Sequence, residues 1–564
     1  MNSTSDVTTP TRSRWFLELQ FYALLLFVLC CYAPRLTEIS VRGEESRRGR
    51  IAWEMLDTGD WIVPRIQGGV VYYRPPLQNW LIALVGKATG QIDAFALRFP
   101  TLIALFLTVS LIYAYARTFM SRLGAFAAGT VFATFAQVLE LGRLGETEGV
   151  FTLFVAGSLL CWKGLLNRRS PAPFIWIAGY SLAALATLTK GPQAPLYFVG
   201  PTVLYLLFNR RWRFLFSFSH LLGIAAFVAI VAEWQIPFAG QVGASQSWKI
   251  YFRDVGPRFL ELGFSRIAAH MASYPLELLC GALLPWSFFL IAFCSRRFRA
   301  QLGNLRDDSL FCLIALAVTF PSVWLPPGAS LRYYMPMYPV IALLVGIVFE
   351  RLSLLCNDWD RSKFLLANYW RLLAITMSGT VVAIAGISLV NPQARWSQPL
   401  WLAMLLLIPG FLGAGFLWKG SRQISSRSLQ QNLIVVSWCL ALFCCTVVPN
   451  VRNKISRNAE HDIAQLRASL PPGTHFHSLG ITHHLFLFHL HEHVTVLHPP
   501  EVIPEAPPAD VYFCLTVHQG KIPQLPFQWE RIATINCDRN YSEKPIDEVF
   551  ICRAAPHALT AADE

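Results

Sequence analysis

The sequence predicts a mainly α-helical, polytopic membrane protein of about thirteen transmembrane helices, with a small α/β domain at its C-terminal end. Three observations predict it. The 564 residues are 54% hydrophobic and only 14% charged, where an ordinary soluble domain has about a quarter of its residues charged. Apolar runs of about twenty residues, the length of a bilayer-spanning helix, recur along most of the chain. Past residue 450 the composition changes to short β-prone runs, turns and histidines.

The spans are expected at roughly 19–36, 97–116, 123–140, 149–166, 174–189, 192–208, 214–235, 276–294, 309–325, 333–349, 371–390, 399–418 and 432–449. The first has no small-residue cleavage site after it and reads as a retained helix rather than a removed signal peptide. Arg12 and Arg14 precede it. Alternate loops then carry Arg117/Arg122, Lys163/Arg168/Arg169, Arg210/Arg211/Arg213, Arg296/Arg297/Arg299, Arg351/Arg361/Lys363 and Lys419/Arg422/Arg427. Basic loops stay in the cytoplasm, so the N-terminus is expected there and, after thirteen spans, the C-terminus outside. The net charge of +13 is distributed over these loops, which argues against a nucleic-acid partner. Most of the thirteen cysteines lie in apolar runs, as Cys30, Cys31, Cys444 and Cys445 do, where a thiol acts as a small hydrophobe. Cys514, Cys537 and Cys552 leave room for one bridge in the C-terminal domain.

Loop parity places several polar segments on the outer face: Glu44–Pro76, Leu141–Glu148, the Lys190 turn, a long loop at about Ile236–Pro275, and the Pro326–Arg332 turn. The first loop holds Arg42, Arg47, Arg48, Arg50, Arg65 and Arg74, against the topological bias. Acids roughly balance them, so a self-paired surface is one reading; arginines bracketing Glu44 and Glu45 beside a membrane favour an anion site. Adjacent carboxylates serve as a general base, a metal ligand or a surface acid pair. Arg47 stands close enough to orient a carboxylate or bind phosphate in two-pronged fashion. Lys190 either snorkels from a helix end or, between Thr189 and Gly191-Pro192, meets a phosphate. Glu148 opens a span, where it compensates the helix dipole, and Arg143 is a candidate partner for it.

The chain is divided into a transmembrane domain at 1–450, with its charge-dense loop at about 37–96, and an outer α/β domain at 451–564. In the latter, His461–Ala468 reads as an amphipathic helix. β-prone runs lie near His475–His477, Val494–Leu497, Val511–Leu515 and Val549–Cys552. Eight histidines lie between His475 and His498. On a strand, His489, His491 and His493 would share one face, a surface for a divalent metal or for pH sensing, or simply a polar strand edge.

The loop motifs carry a resemblance. Glu44-Glu45-x-Arg47, then Glu54-Met55-Leu56-x-x-Gly59-Asp60-Trp61-x-Val63-Pro64-Arg65, then Tyr72-x-Arg74-Pro75-Pro76, resemble the first outer loop of GT-C glycosyltransferases that use polyprenyl-phosphate sugars. The likeness is greatest to the aminoarabinose transferases of lipid A and related family 39 and 83 enzymes. Thr189-Lys190-Gly191-Pro192, Leu284-Pro285-Trp286-Ser287, Arg332-Tyr333-Tyr334-Met335-Pro336, and Gly142-Arg143 followed by Glu148 resemble further motifs of the family, in order over most of residues 20–350. The resemblance implies a GT-C fold and a glycosyltransferase of the cell envelope. It implies a bacterial inner (plasma) membrane, with the active site and C-terminal domain extracytoplasmic. The implied donor is a polyprenyl-phosphate sugar and the acceptor a lipid, glycan or protein. Glu44 (or its neighbour Glu45) and Glu148 would be catalytic acids, standing where the family usually has Asp. Arg47, Arg74 (usually Lys), Lys190 and Arg332 would bind the donor phosphate, with Tyr333 or Tyr334 lining the cavity. Arg266 and His270 are further candidates in the long loop. No cofactor is required, no metal ligand is assigned, and a divalent cation is compatible without being indicated.

The chemistry fits these residue types. Departure of a lipid phosphate builds charge that fixed cations stabilise, and an acceptor hydroxyl needs a carboxylate base. No glycine-rich phosphate loop occurs in the cytoplasmic segments. Two other readings compete: a non-catalytic lipid-phosphate carrier or flippase, which calls for ionisable residues in mid-span, and a glycan polymerase or ligase using a diphosphate-linked donor.

Overall fold

The computed structural model describes residues 15–41, 43–252, 264–355, 360–455, 459–498, 511–522, 524–525, 527–538 and 546–554. Among them, nine helices are long and apolar enough to cross a membrane: Ala94–Ala116, Glu148–Asn167, Ala172–Lys190, Trp212–Val242, Gly303–Trp324, Leu331–Leu352, Lys363–Val390, Leu400–Arg422 and Arg427–Lys454. Leu19–Tyr32 and Gln193–Phe208 are shorter apolar helices. The expected count of thirteen is not confirmed, and two of the expected spans are interrupted helices.

Those two interruptions have a common cause. The run expected at 123–140 divides into the helices Arg122–Thr134 and Ala136–Leu141, with Phe135 between them at ψ 135°. The run expected at 276–294 becomes short turns on either side of Leu284-Pro285, where proline has no N–H to continue a helix and restricts the residue before it. Each break satisfies the other. Ala136 N–H donates to the Leu284 carbonyl at 3.0 Å, and Trp286 Nε1 donates to Thr134 Oγ1 at 2.8 Å. Irregular backbone is tolerated at membrane depth only where protein supplies such partners.

The chain divides into two compact units. The first comprises Met1–Pro34, Tyr73–Leu77 and Pro100–Val447 and holds most of the apolar helices. In it, Ala172–Lys190 packs against Glu148–Asn167, Gln193–Phe208 and Phe218–Val242, and Arg122–Thr134 packs along Tyr338–Leu355. The latter pair approaches closely through small residues: a Cβ on Gly346 would stand 2.8 Å from Ala128 Cβ. Without a hydrophobic force between helices in lipid, such close packing is a main source of association.

The second unit comprises Arg35–Tyr72, Gln78–Phe99 and Val448–Glu564. Segments of the first loop therefore fold with the C-terminal region, a union that no local pattern announces. The helix Glu44–Thr58 ends at Gly59 in the left-handed region, φ 73°. The strands β1 (Arg65–Ile66) and β2 (Gly69–Val70) form a small antiparallel ribbon. Five further strands follow the helix Ala459–Ser469: β3 (Phe476–Leu479), β4 (Thr495–His498), β5 (Tyr512–His518), β6 (Trp529–Asn536) and β7 (Asp547–Ala554). Their order is β4-β3-β5-β7-β6, with β4, β3 and β5 parallel and β5, β7 and β6 antiparallel. β6 was not among the expected strands; its burial is weak, so no alternating apolar pattern marks it.

One face of the sheet shares a core with the first loop: Phe476, Cys514 and Ile551 cluster with Ile51, Met55 and Ile66. The opposite face buries Phe513, Phe550 and Cys552. Cys514 and Cys552 thus lie on opposite faces, and the described cysteines are free. The three-histidine strand is also corrected. His484–Leu490 is a helix, with Leu485 through Phe488 and Leu490 buried, and His491 is its left-handed cap at φ 54°. An apolar run this short is read equally well as buried strand or buried helix. Here it is a helix, so the histidines share no strand face. No group of three metal-ligating side chains occurs among the described residues.

Glu44–Thr58 meets His484–Leu490 at Gly49, where a Cβ would lie 2.5 Å from the Phe488 ring and 2.9 Å from Leu97. Gly49→Val should therefore destabilise the second unit by about 1–3 kcal/mol, the usual cost of overpacking. The check is a lower unfolding temperature followed by hydrogen exchange of residues 476–490.

Candidate active site

In the second unit the first turn of Glu44–Thr58 separates the two adjacent carboxylates. Gly43 precedes it at φ 60° and supplies no capping side chain. Glu45 is wholly buried and pairs with Arg98, also wholly buried, at 2.9 Å. Arg98 donates further to the Leu36 carbonyl at 2.6 Å and the Ser40 carbonyl at 3.5 Å. Glu45 is therefore consumed in holding the loop to a neighbouring helix. Glu44, one position on, is 26% exposed. Both its oxygens accept from Arg47 Nη1, at 2.8 and 2.9 Å, and Arg48 lies 3.9 Å away.

The turn is tied down behind Glu44. Ser46 Oγ donates to the Gly43 carbonyl at 2.9 Å. It also lies within hydrogen-bond distance of His484 Nδ1, at 2.8 Å. Burial, followed by the neighbouring His483 and arginines, pushes His484 well below the usual histidine range. Burial likewise brings His483 down to about 4. Both rings are neutral near pH 7 and add no charge beside Glu44. Two other loop arginines pair within the loop, Arg50 with Glu54 at 3.2 Å and Arg65 with Asp60 at 3.4 Å; Arg42 lies outside the described residues.

The first unit brings a second set together at three helix ends. Glu148 opens Glu148–Asn167, Lys190 closes Ala172–Lys190, and Arg332 lies in the turn Leu331–Met337. Glu148 and Lys190 each have the sign their helix end prefers, acid at the start and base at the finish. Gly191 at φ 113° and Pro192 end the helix after Lys190. Lys190 Nζ reaches Glu148 Oε1 at 3.1 Å and Arg332 Nε lies 3.7 Å from the same oxygen. Arg332 Nη1 also donates to Glu146 Oε2. Lys190 Nζ sits 4.7 Å from the centre of the Tyr333 ring, and Arg74 is near enough to act on its charge. Lys190 and Arg332 thus stand against Glu148 and Glu146, with Arg74 close by.

The other candidates fall elsewhere. Tyr334 is buried, its hydroxyl within 3.2 Å of Thr319 Oγ1 and the Leu316 carbonyl. His270 meets the Val323 carbonyl at 3.3 Å, and Arg266 is exposed on the same helix. Arg143 does not pair with Glu148. It donates to the Cys31 carbonyl, to the Pro34 carbonyl at 3.5 Å and to Cys445 Sγ at 2.7 Å, closing the end of Leu19–Tyr32 as a cation does at a helix C-terminus.

Residues 73–236 match the family described as dolichyl-phosphate-mannose-protein mannosyltransferase. An undecaprenyl phosphate-alpha-4-amino-4-deoxy-L-arabinose arabinosyl transferase of Pseudomonas aeruginosa (strain LESB58) is 28% identical over 432 residues, covering 73% of each chain. Its counterpart in Edwardsiella ictaluri (strain 93-146) is 28% identical over 345 residues, covering 59% of this chain and 60% of its own. The crystal structure of ArnT from Cupriavidus metallidurans bound to undecaprenyl phosphate superposes with a TM-score of 0.66, at 17% identity, over 96% of this chain and all of that one. This chain has the fold of that membrane transferase.

Sequence reading missed Glu146 and Arg98. Glu146 belongs to the acid pair Glu146-Thr147-Glu148, which offered the same signal as Glu44-Glu45. Arg98 stands in an otherwise apolar run, where a charge calls for a partner.

Removing one member of a buried pair strands the other, at a cost of about 3–5 kcal/mol. Arg98→Ala should therefore lower the unfolding temperature sharply, and Glu45→Gln nearly as much. Glu44→Gln, at a part-exposed pair worth at most about 1 kcal/mol, should leave it almost unchanged. Thermal unfolding of the three purified variants distinguishes these outcomes.

Proposed function

We propose that this glycosyltransferase moves a sugar from an undecaprenyl-phosphate-type carrier to a hydroxyl or phosphate of a lipid, glycan or protein acceptor on the outer face of the membrane. The observation that carries the reading is the cluster of buried Lys190 and half-buried Arg332, held by Glu148 and Glu146 at the ends of membrane helices, with Arg74 nearby. A lipid-linked phosphate approaches such a site from the bilayer, and preformed cations stabilise its departure without reorganising. The names of the similar proteins, which specify undecaprenyl-phosphate aminoarabinose and dolichyl-phosphate mannose, support a polyprenyl-phosphate donor.

Glu44 is proposed as the general base. It is the more exposed of the adjacent carboxylates, while Glu45 is bound to Arg98. For a hydroxyl acceptor in a single inverting displacement, the acceptor oxygen bonds to the anomeric carbon. The bond from that carbon to the phosphate oxygen breaks, and the acceptor proton passes to Glu44. The polyprenyl phosphate leaves with the bonding pair and carries the negative charge away. Arg47 holds the Glu44 carboxylate and exchanges partners when substrate arrives. Glu148, between two cations, is proposed to orient them rather than to accept a proton. Tyr333 presents its ring to Lys190 and Arg332. Arg266, His270 and Tyr334 are left without a role by their surroundings.

The orientation is also proposed. Basic loops alternate along the chain, which supports a cytoplasmic N-terminus with the Lys190 and Arg332 turns on the outer side. The second unit is then extracytoplasmic. The transferase domain comprises residues 1–450, and 451–564 add the outer α/β domain.

Two measurements test the roles separately. Glu44→Gln should lower the transfer rate by about 100- to 10,000-fold, the span of general base catalysis, with undecaprenyl phosphate binding unchanged. Full activity would remove Glu44 from the mechanism. The double variant Lys190→Met with Glu148→Gln keeps the cluster balanced. It should bind undecaprenyl phosphate about ten- to a hundredfold more weakly, the worth of one charge-assisted hydrogen bond.

A further inference from the structure

We propose that the helical unit carries a second lipid site, for the headgroup of an anionic phospholipid, at the membrane surface opposite the Lys190 cluster. The site is a cavity of about 520 Å³ lined by Leu166, Arg210, Arg211, Trp212, Arg213 and Phe214. Its place follows from helix lengths. Gln193–Phe208 begins just after Lys190 and ends just before Arg210, and its 16 residues span about 24 Å at 1.5 Å each. Glu148–Asn167 starts at Glu148 and delivers Leu166 to the cavity at its other end, its 20 residues spanning about 30 Å. The cavity and the Lys190 cluster are therefore separated by about the thickness of a hydrocarbon core. One phosphate cannot serve both.

Positive-inside orientation explains arginines in this loop, but it does not require a cavity. Three features point to a lipid. The lining has three guanidinium groups and no carboxylate. Among the described residues none of the three arginines forms an ion pair within 4.0 Å. The acid that feels Arg211 is Asp307, and its oxygens are already taken by Lys163 at 2.8 Å and by Tyr205 at 2.8 Å. Arg210 also holds φ 56°, a left-handed conformation uncommon for such a residue, which turns the chain sharply at the cavity.

The third feature is the apolar wall that continues from the pocket. Trp212 and Phe216 stack with their planes 4° apart, and both are exposed, at 51% and 78%. Beyond them Phe218, Leu221 and Val228 are exposed along Phe218–Val242, the helix with the smallest buried share in its apolar window, 11%. A phosphodiester in the arginine cavity with acyl chains along this helix satisfies both surfaces. A soluble phosphate satisfies only the first. Basic pockets between membrane helices are suited to anionic headgroups in this way.

The test is native mass spectrometry of the full-length protein in detergent, with equal amounts of phosphatidylglycerol and phosphatidylethanolamine bearing the same acyl chains. The wild type should retain phosphatidylglycerol at least tenfold over phosphatidylethanolamine. Each arginine near a headgroup is worth about 1 kcal/mol, or about fivefold. Arg211→Gln with Arg213→Gln should thus lower phosphatidylglycerol retention about 25-fold. Arg213→Gln alone should lower it about fivefold, which serves if the double variant cannot be purified. The control Arg296→Gln with Arg297→Gln, at exposed arginines of another loop, should retain the lipid. Equal retention of the two lipids by the wild type would overturn the proposal, and so would an equal loss in the control. Displacement of phosphatidylglycerol by an equal concentration of glycerol phosphate would overturn the part assigned to the acyl chains.

Discussion

A carboxylate removed from water needs a cation beside it, and that single requirement organises this protein. Glu45 with Arg98, Glu148 with Lys190 and Arg332, Glu18 with Arg117 at 2.9 Å, and Asp308 with Lys163 at 3.1 Å each join segments distant in sequence. An unpaired member of any of them would be costly in an apolar interior. The pairs therefore act as staples whose position is specified by charge as well as by shape. At Lys190 and Arg332 the same rule has a chemical consequence. Cations already stripped of water and held by carboxylates need little rearrangement to meet a phosphate.

The requirement also separates two residues that look alike. Glu44 and Glu45 are chemically identical neighbours. One helix position turns Glu45 inward to Arg98 and leaves Glu44 at a part-exposed edge with Arg47. Ser46, clamped between Gly43 and His484, fixes that turn. The function proposed for Glu44 depends on Glu45 having none of its own beyond structure.

Much of the fold was legible in the sequence. Apolar runs located the nine helices long enough to span and the two shorter apolar ones, because lipid solvation demands long uninterrupted helices and leaves a strong pattern. The two runs that are interrupted, 123–140 and 276–294, are largely apolar, with Glu140 and Glu277 near their ends. Their breaks are satisfied by hydrogen bonds between Ala136 and Leu284 and between Trp286 and Thr134, contacts between segments far apart in sequence. The motif residues Glu148, Lys190 and Arg332 were found and do come together, since all lie in turns between spans. What could not be read was pairing at a distance: Arg98 with Glu45, Glu146 with Arg332, and the joining of 35–72 with the C-terminal sheet. The histidine run was misassigned because an apolar segment of seven residues has no period that separates helix from strand.

The central claim is that the donor is a polyprenyl monophosphate sugar. It is tested most directly by incubating the purified protein in vesicles with an isotopically labelled undecaprenyl-phosphate sugar and an acceptor extract of the cell envelope, and by following the lipid products by mass spectrometry. The account expects one undecaprenyl phosphate released for each sugar transferred, with no turnover from a nucleotide sugar. Transfer from the nucleotide sugar, or release of a polyprenyl diphosphate, would contradict it.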